Sequence, residues 1–127
     1  PVNGYLDNAG NEKPFRFFLY KKRKKIMIRI NKEDIKARLD AGEKLNLIDV
    51  REPDEHAEYN VGGILLPLGN IQMMQIDEID ELKNEEIICY CRSGNRSMQA
   101  CLMLETFGFT NVKNLEAGMT GWIEKYK

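Results

Sequence analysis

From Met27 onward, short apolar runs alternate with stretches whose apolar residues recur every three or four positions. Met27 to Ile30 is β-prone, and Asn31 with Asp34 three residues on reads as a helix N-cap, with Gly42 as the stop, so a helix is expected over 32–41. Leu45 to Val50 reads as a buried strand, and Pro53 suits the first turn of a short helix running to Tyr59. Ile64-Leu65-Leu66, bounded by Gly62-Gly63 and Pro67, predicts a brief strand. The pattern Met73, Met74, Ile76, Ile79, Leu82 predicts one helix over 72–82, with its methionines on the packing face or a pocket rim. Ile87 to Tyr90 is a fourth β-rich run, followed by the turn formers Ser93-Gly94-Asn95 and a helix over 96–107. A last strand over 112–115 and a last helix over 119–126, anchored by Trp122, complete the series.

Strands separated by helical stretches of about ten residues require crossover connections and a mostly parallel sheet. Ligand sites in such sheets lie beyond the carboxyl ends of the strands. Two segments qualify, the one after Val50 and the one after Tyr90.

The first 26 residues show neither period. They hold Asn/Gly-rich sequence, the aromatic stretch Phe15 to Tyr20 and the basic run Lys21 to Lys25. The expectation is an extension outside the fold (1–26) preceding a domain over 27–127, with Met27 as the natural start. A basic arm touching an acidic partner or a membrane surface is the alternative for that run. Composition sharpens this division: residues 1–26 carry a net charge of +5 and the remainder −6, within a total of −1. A body of that sign has no field for nucleic acid. No apolar run is long enough for a membrane span. Three cysteines, an odd number without a secretory leader pattern, point to free thiols and a reducing, cytoplasmic setting.

Chemistry concentrates in Cys91-Arg92-Ser93-Gly94-Asn95-Arg96, between a buried strand and a helix. Small residues at such a junction let successive backbone N–H groups turn inward as an anion cradle, and the helix dipole adds positive charge. A sulfur at its centre is favoured as thiolate, the nucleophilic form, with Arg92 and Arg96 close in sequence. Cys89, two residues earlier on the strand, and Cys101, among apolar helix residues, read as core thiols. His56, the single histidine, sits in a charged stretch and is expected on the solvated surface. One histidine and no paired Cys-x-x-Cys spacing give no support for a metal site.

The sequence resembles the rhodanese family, a resemblance that covers nearly all of residues 28 to 124. It rests on Leu47-Ile48-Asp49-Val50-Arg51-Glu52, on the loop Cys91 to Ser97, and on Gly108-Phe109 through Leu115 and Gly118 to Trp122. The resemblance implies an α/β fold with a five-stranded, mostly parallel sheet flanked by helices on both faces, and a ping-pong reaction. In it Cys91 takes sulfane sulfur from a donor such as thiosulfate and passes it to cyanide or a thiol. No cofactor is implied. Small-molecule donor and thiophilic acceptor are the implied partners, with a protein acceptor as the alternative recipient. Arg92, Ser93, Gly94, Asn95 and Arg96 form the active loop. Asp49 and Arg51 match a signature whose residues support that loop, and Arg51 is expected to pair with Glu52 or Glu55.

Loop length separates this reading from the related phosphatases, which need an arginine six positions after the cysteine, where Ser97 stands. Arg92 directly after Cys91 also departs from the Cys-Gly-Ser/Thr-Gly pattern of members specialised for 3-mercaptopyruvate, so thiosulfate is the expected donor. The usual Gly-His-Ile-x-Gly-Ala segment is replaced by Gly62 to Gly69 without its histidine, and a Gly-Gly pair before the last helix is Ala117-Gly118. Alternatives to an active sulfurtransferase are a sulfur-delivery module for a partner protein, a non-catalytic interaction domain, and a phosphatase or arsenate reductase.

Overall fold

A computed structural model describes residues 4–6, 9–14 and 28–127. The basic run, its aromatic neighbours and Met27 lie outside the described residues. Gly4–Leu6 (β1) and Glu12–Pro14 (β2) pair antiparallel, a hairpin that periodicity does not predict. Three-residue strands are too short to show an alternation. Gly10, at φ 85, supplies a left-handed turn position between them.

Five strands form the main sheet: Ile28–Ile30 (β3), Leu47–Asp49 (β4), Ile64–Leu65 (β5), Glu86–Tyr90 (β6) and Asn111–Leu115 (β7). All are parallel, in the order β3-β7-β6-β4-β5. The helices are Lys32–Asp40 (α1), Pro53–Glu58 (α2), Leu68–Gln72 (α3), Asn95–Thr106 (α4) and Gly118–Tyr126 (α5), with a 3₁₀ segment at Asp77–Leu82. The Asn31 cap forms as expected, its Oδ1 accepting the Asp34 N–H at 2.8 Å.

The period-2 alternation of β6 divides the interior into two cores. Ile87, Cys89 and Cys91 face one core, packed with Ile71, Ile79, Ala100, Cys101 and Leu104 from α3, the 3₁₀ segment and α4. Ile88 and Tyr90 face the other, with Ile35 from α1 and Met119 and Trp122 from α5. Helices therefore cover both faces, and Cys89, Cys101 and Trp122 are core residues as expected.

The helix expected over 72–82 is not formed as one piece. Ile76, Ile79 and Leu82 are spaced by three, and side chains three apart align in a 3₁₀ helix, so that geometry packs all three against the core. Met74 takes φ 57 and breaks the chain direction, leaving Met73 and Met74 71% and 62% exposed instead of packed. Among the described residues no helix is long and apolar enough to cross a membrane.

In the Gly62–Gly69 segment, Gly62 and Gly63 take φ 96 and 90. A Cβ on Gly63 would lie 2.1 Å from the Leu47 carbonyl oxygen, so β5 enters the sheet against bare backbone. Gly63→Ala combines that overlap with an unfavourable φ. It is expected to cost about 2 kcal/mol or more, measured as a lower urea midpoint; unchanged stability would contradict the close approach.

Candidate active site

Cys91 directly follows β6 and is 1% exposed. Its Sγ accepts the Gly94 N–H at 3.1 Å, the Ser97 N–H at 3.3 Å and lies 3.4 Å from the Ser97 hydroxyl. Burial pushes the thiol up, but hydrogen bonds from Ser97 side chain and backbone, Gly94 N–H and Ser93 N–H outweigh it and hold Cys91 below its ordinary value. The loop thus turns the Gly94 and Ser97 N–H groups and the Ser97 hydroxyl toward one sulfur. Gly94, at φ 105, makes the bend that starts α4 and brings the Ser97 N–H round to the sulfur.

The cradle needs the loop carbonyls turned away, and α5 does this. Met119 N–H donates to the Cys91 carbonyl at 2.8 Å and Thr120 N–H to that of Arg92 at 2.9 Å. These first-turn donors have no partner within their own helix. Because a peptide is planar and trans, fixing the Arg92 carbonyl toward α5 aims the Ser93 N–H the opposite way. Gly118 permits the approach: a Cβ there would sit 2.3 Å from the Cys91 oxygen. Ala117, standing where the family pattern has glycine, adopts φ 61, a left-handed conformation that disfavours a side chain.

Asp49 and Arg51 are both buried and pair with each other, correcting the expected partners Glu52 and Glu55. Arg51 Nε and Nη2 reach the two Asp49 oxygens at 2.9 and 2.8 Å, and its backbone N–H donates to Asp49 at 3.0 Å. A guanidinium buried beside a buried carboxylate takes the nearest bidentate partner. His56 corrects a second expectation: its Nδ1 is 2.8 Å from Asp49 Oδ2 and its side chain is 23% exposed, because α2 folds back over the end of β4. Burial works against the Asp49 carboxylate, yet Arg51 and His56 hold it below its usual value.

Neither Asp49 nor Arg51 hydrogen-bonds the Cys91–Arg96 loop; they hold α2, and α2 holds the loop. Glu55 on α2 forms a bidentate ion pair with Arg96, at 2.7 and 2.9 Å, and also accepts the Glu52 N–H at 3.1 Å. Arg96 is therefore tied back rather than aimed at the sulfur. Arg92, Ser93 and Asn95 are exposed at the loop surface. Beside them opens a groove of about 380 Å³ whose walls include Arg51, Glu55, Tyr59, Arg92, Met119 and Lys127. Among the described residues no His, Cys, Asp and Glu side chains group to hold a metal ion.

Sequence reasoning missed Ser97 as a sulfur donor and Asn114 altogether. Asn114, buried on β7, lies 2.5 Å from the Ser97 hydroxyl and donates to the Gly94 carbonyl at 3.2 Å. Asn114 falls two residues after Val112, on the same face of the strand, and a polar residue on that apolar face is the one signal that could have found it.

A family model described as the rhodanese-like domain matches residues 31–125. With the sheet order and the loop after β6, this places the chain in the rhodanese-like domain family. It is similar to a Bacillus subtilis (strain 168) protein named as a candidate sulfurtransferase, YtwF, at 42% identity over 90 residues, 69% of this chain and 82% of that one. It is also similar to a protein of the same organism named as a candidate sulfur carrier, YrkF, at 36% over 97 residues, 76% of this chain. The chain spans 51% of that second relative's length. Among solved structures it resembles a rhodanese-like domain protein from Staphylococcus aureus, with TM-score 0.67, 29% identity, and 76% and 91% of the two chains covered. The relatives' names support a sulfur-transfer role of the rhodanese class.

The Arg96 hydrogen bonds, opposed by partial burial, hold the Glu55 carboxyl down from 4.5 to about 2. A folded-state value below the unfolded one means stability that is present above pH ~4.5 and is lost as pH falls toward ~2. Glu55→Gln removes this contribution. Solvent screening keeps it to about 1 kcal/mol at neutral pH. In urea titrations the gap between wild type and variant is expected to close on acidification; a gap constant with pH would count against it.

Proposed function

We propose that the chain is a sulfurtransferase that carries sulfane sulfur as a Cys91 persulfide, with thiosulfate as donor and a thiol or cyanide as acceptor. The observation that carries this reading is the convergence of two backbone N–H groups and the Ser97 hydroxyl on a buried Cys91 sulfur. No titratable base is needed beside the sulfur, since the cradle itself favours the thiolate.

The thiolate attacks the outer sulfur of thiosulfate. A sulfur–sulfur bond to Sγ forms, the donor's own sulfur–sulfur bond breaks, and its electron pair leaves with sulfite. Charge then resides on the terminal sulfur of the persulfide. An acceptor nucleophile attacks that terminal sulfur and returns Cys91 to thiolate. Arg92, exposed at the loop mouth, supplies the positive charge that draws an anionic donor. The free state of all three cysteines agrees with a reducing, cytoplasmic setting. Delivery to a partner protein is a second reading, favoured by the relative named for sulfur carriage.

After thiosulfate treatment, intact-mass and peptide analysis is expected to find about 32 Da added at Cys91. Cys91→Ser is expected to lose the adduct and to lower thiosulfate:cyanide transfer by about a thousandfold or more. Retained transfer in that variant, or an adduct on Cys89 or Cys101 instead, would overturn the assignment.

A further inference from the structure

The Ser97 hydroxyl has one proton and three acceptors around it: Asn114 Oδ1 at 2.5 Å, the Gly94 carbonyl at 3.2 Å and Cys91 Sγ at 3.4 Å. It serves one at a time. Asn114 Nδ2 donates to the Gly94 carbonyl at 3.2 Å, which fixes the amide. The flipped amide would set two oxygens against each other. Its Oδ1 therefore faces Ser97 as a pure acceptor, and the shortest hydroxyl contact is an O–H donated to Asn114.

We propose that Asn114 is a positioning residue that parks the Ser97 hydroxyl, so that its proton turns to Cys91 Sγ when that sulfur is charged and back to Asn114 Oδ1 when it is not. For catalysis the idea rests on the sulfur-transfer reading above. Sγ changes charge twice in that cycle. As thiolate it calls for a donor. Once the donor's sulfur is bonded to it and sulfite has left, the charge lies on the terminal sulfur and Sγ is a neutral bridging atom. A hydroxyl with no other acceptor would then be stranded in a buried site, at a cost that slows persulfide formation. Asn114 gives it a resting partner in each neutral state of Sγ, thiol or persulfide.

The ionisable groups near Sγ are the Arg96 guanidinium and the Cys101 thiol from α4, with Cys89 beside Cys101 on β6 and Arg92 on the loop itself. The contribution of β7 is the uncharged Asn114. Substitution there changes the hydroxyl's choice of partner without deleting a charge.

The test is the pH dependence of Cys91 alkylation by iodoacetamide in the full chain, followed at that residue by peptide mass spectrometry. Ser97→Ala raises the midpoint and slows alkylation below it by about tenfold, as loss of a hydrogen bond to a charged group implies. Asn114→Ala lowers the midpoint, because the proton is left to the sulfur. In the Ser97→Ala background the same substitution no longer lowers it. Asn114→Asp keeps the acceptor, adds negative charge and raises the midpoint. Opposite shifts from two substitutions at one position are not produced by loosened packing. A raised midpoint in Asn114→Ala, or a lowering that persists without the Ser97 hydroxyl, overturns the proposal. If Asn114→Ala does not fold, an unchanged or lowered midpoint in Asn114→Asp does so. Alkylation needs no sulfur donor, so failure to form the persulfide would remove the sulfur-transfer reading and leave this measurement standing.

Discussion

Two carbonyl oxygens, those of Cys91 and Arg92, need partners, and two N–H groups at the start of α5 need acceptors. Their mutual satisfaction, at 2.8 and 2.9 Å, is the constraint on which the site depends. It resolves an obligation that every helix terminus carries. Because peptide groups are rigid, it also decides where the loop's own N–H groups point. Gly118 is required there for lack of space, since any side chain would strike the carbonyls being bound. The last helix thus shapes the cradle without presenting a side chain to the sulfur. That distance in sequence, from 91 to 119, is closed by β7 and the turn into α5.

A second tether acts on the other flank. Asp49 at the end of β4 holds Arg51 and His56, these hold α2, and Glu55 on α2 holds Arg96 at the start of α4. Asp49, Arg51, Glu55 and Arg96 are charged groups, each compensated for its removal from water by a partner, and breaking one pair would leave its partner uncompensated. The cradle is consequently fixed at both ends. Around the sulfur itself, burial and hydrogen bonding oppose each other, and the hydrogen bonds of several donors prevail over the desolvation of one atom. Donors directed at a single atom can prevail in this way only when none has to reorganise to reach it.

Much of this was legible in advance. Asn31, Pro53 and Gly94 mark element starts through local backbone chemistry, and the apolar run at 87–90 is continuous because both faces of the sheet are covered. Cys91 stands out because a strand, a turn and a helix meet on either side of it within a few residues. Where the reading departed, the cause was a contact the local pattern does not contain. The spacing 76, 79, 82 suits a 3₁₀ segment as well as an α-helix, and only packing against the core chose between them. His56 looks solvated in a run of acids, yet that helix lies against Asp49.

The sequence by itself determined the order of elements from Ile28 onward and the parallel sheet, and it singled out the sulfur just after β6 as the candidate, because each follows from periodicity and junction chemistry within about ten residues. Tertiary structure alone decided what surrounds that sulfur. Arg96 is turned to Glu55, 41 residues away. Asn114 is brought to Ser97 from the neighbouring strand, and Met119 and Thr120 are brought beneath the loop. Hydrogen-bond partners for buried polar groups are set by which elements pack together, and a linear pattern carries no record of that choice.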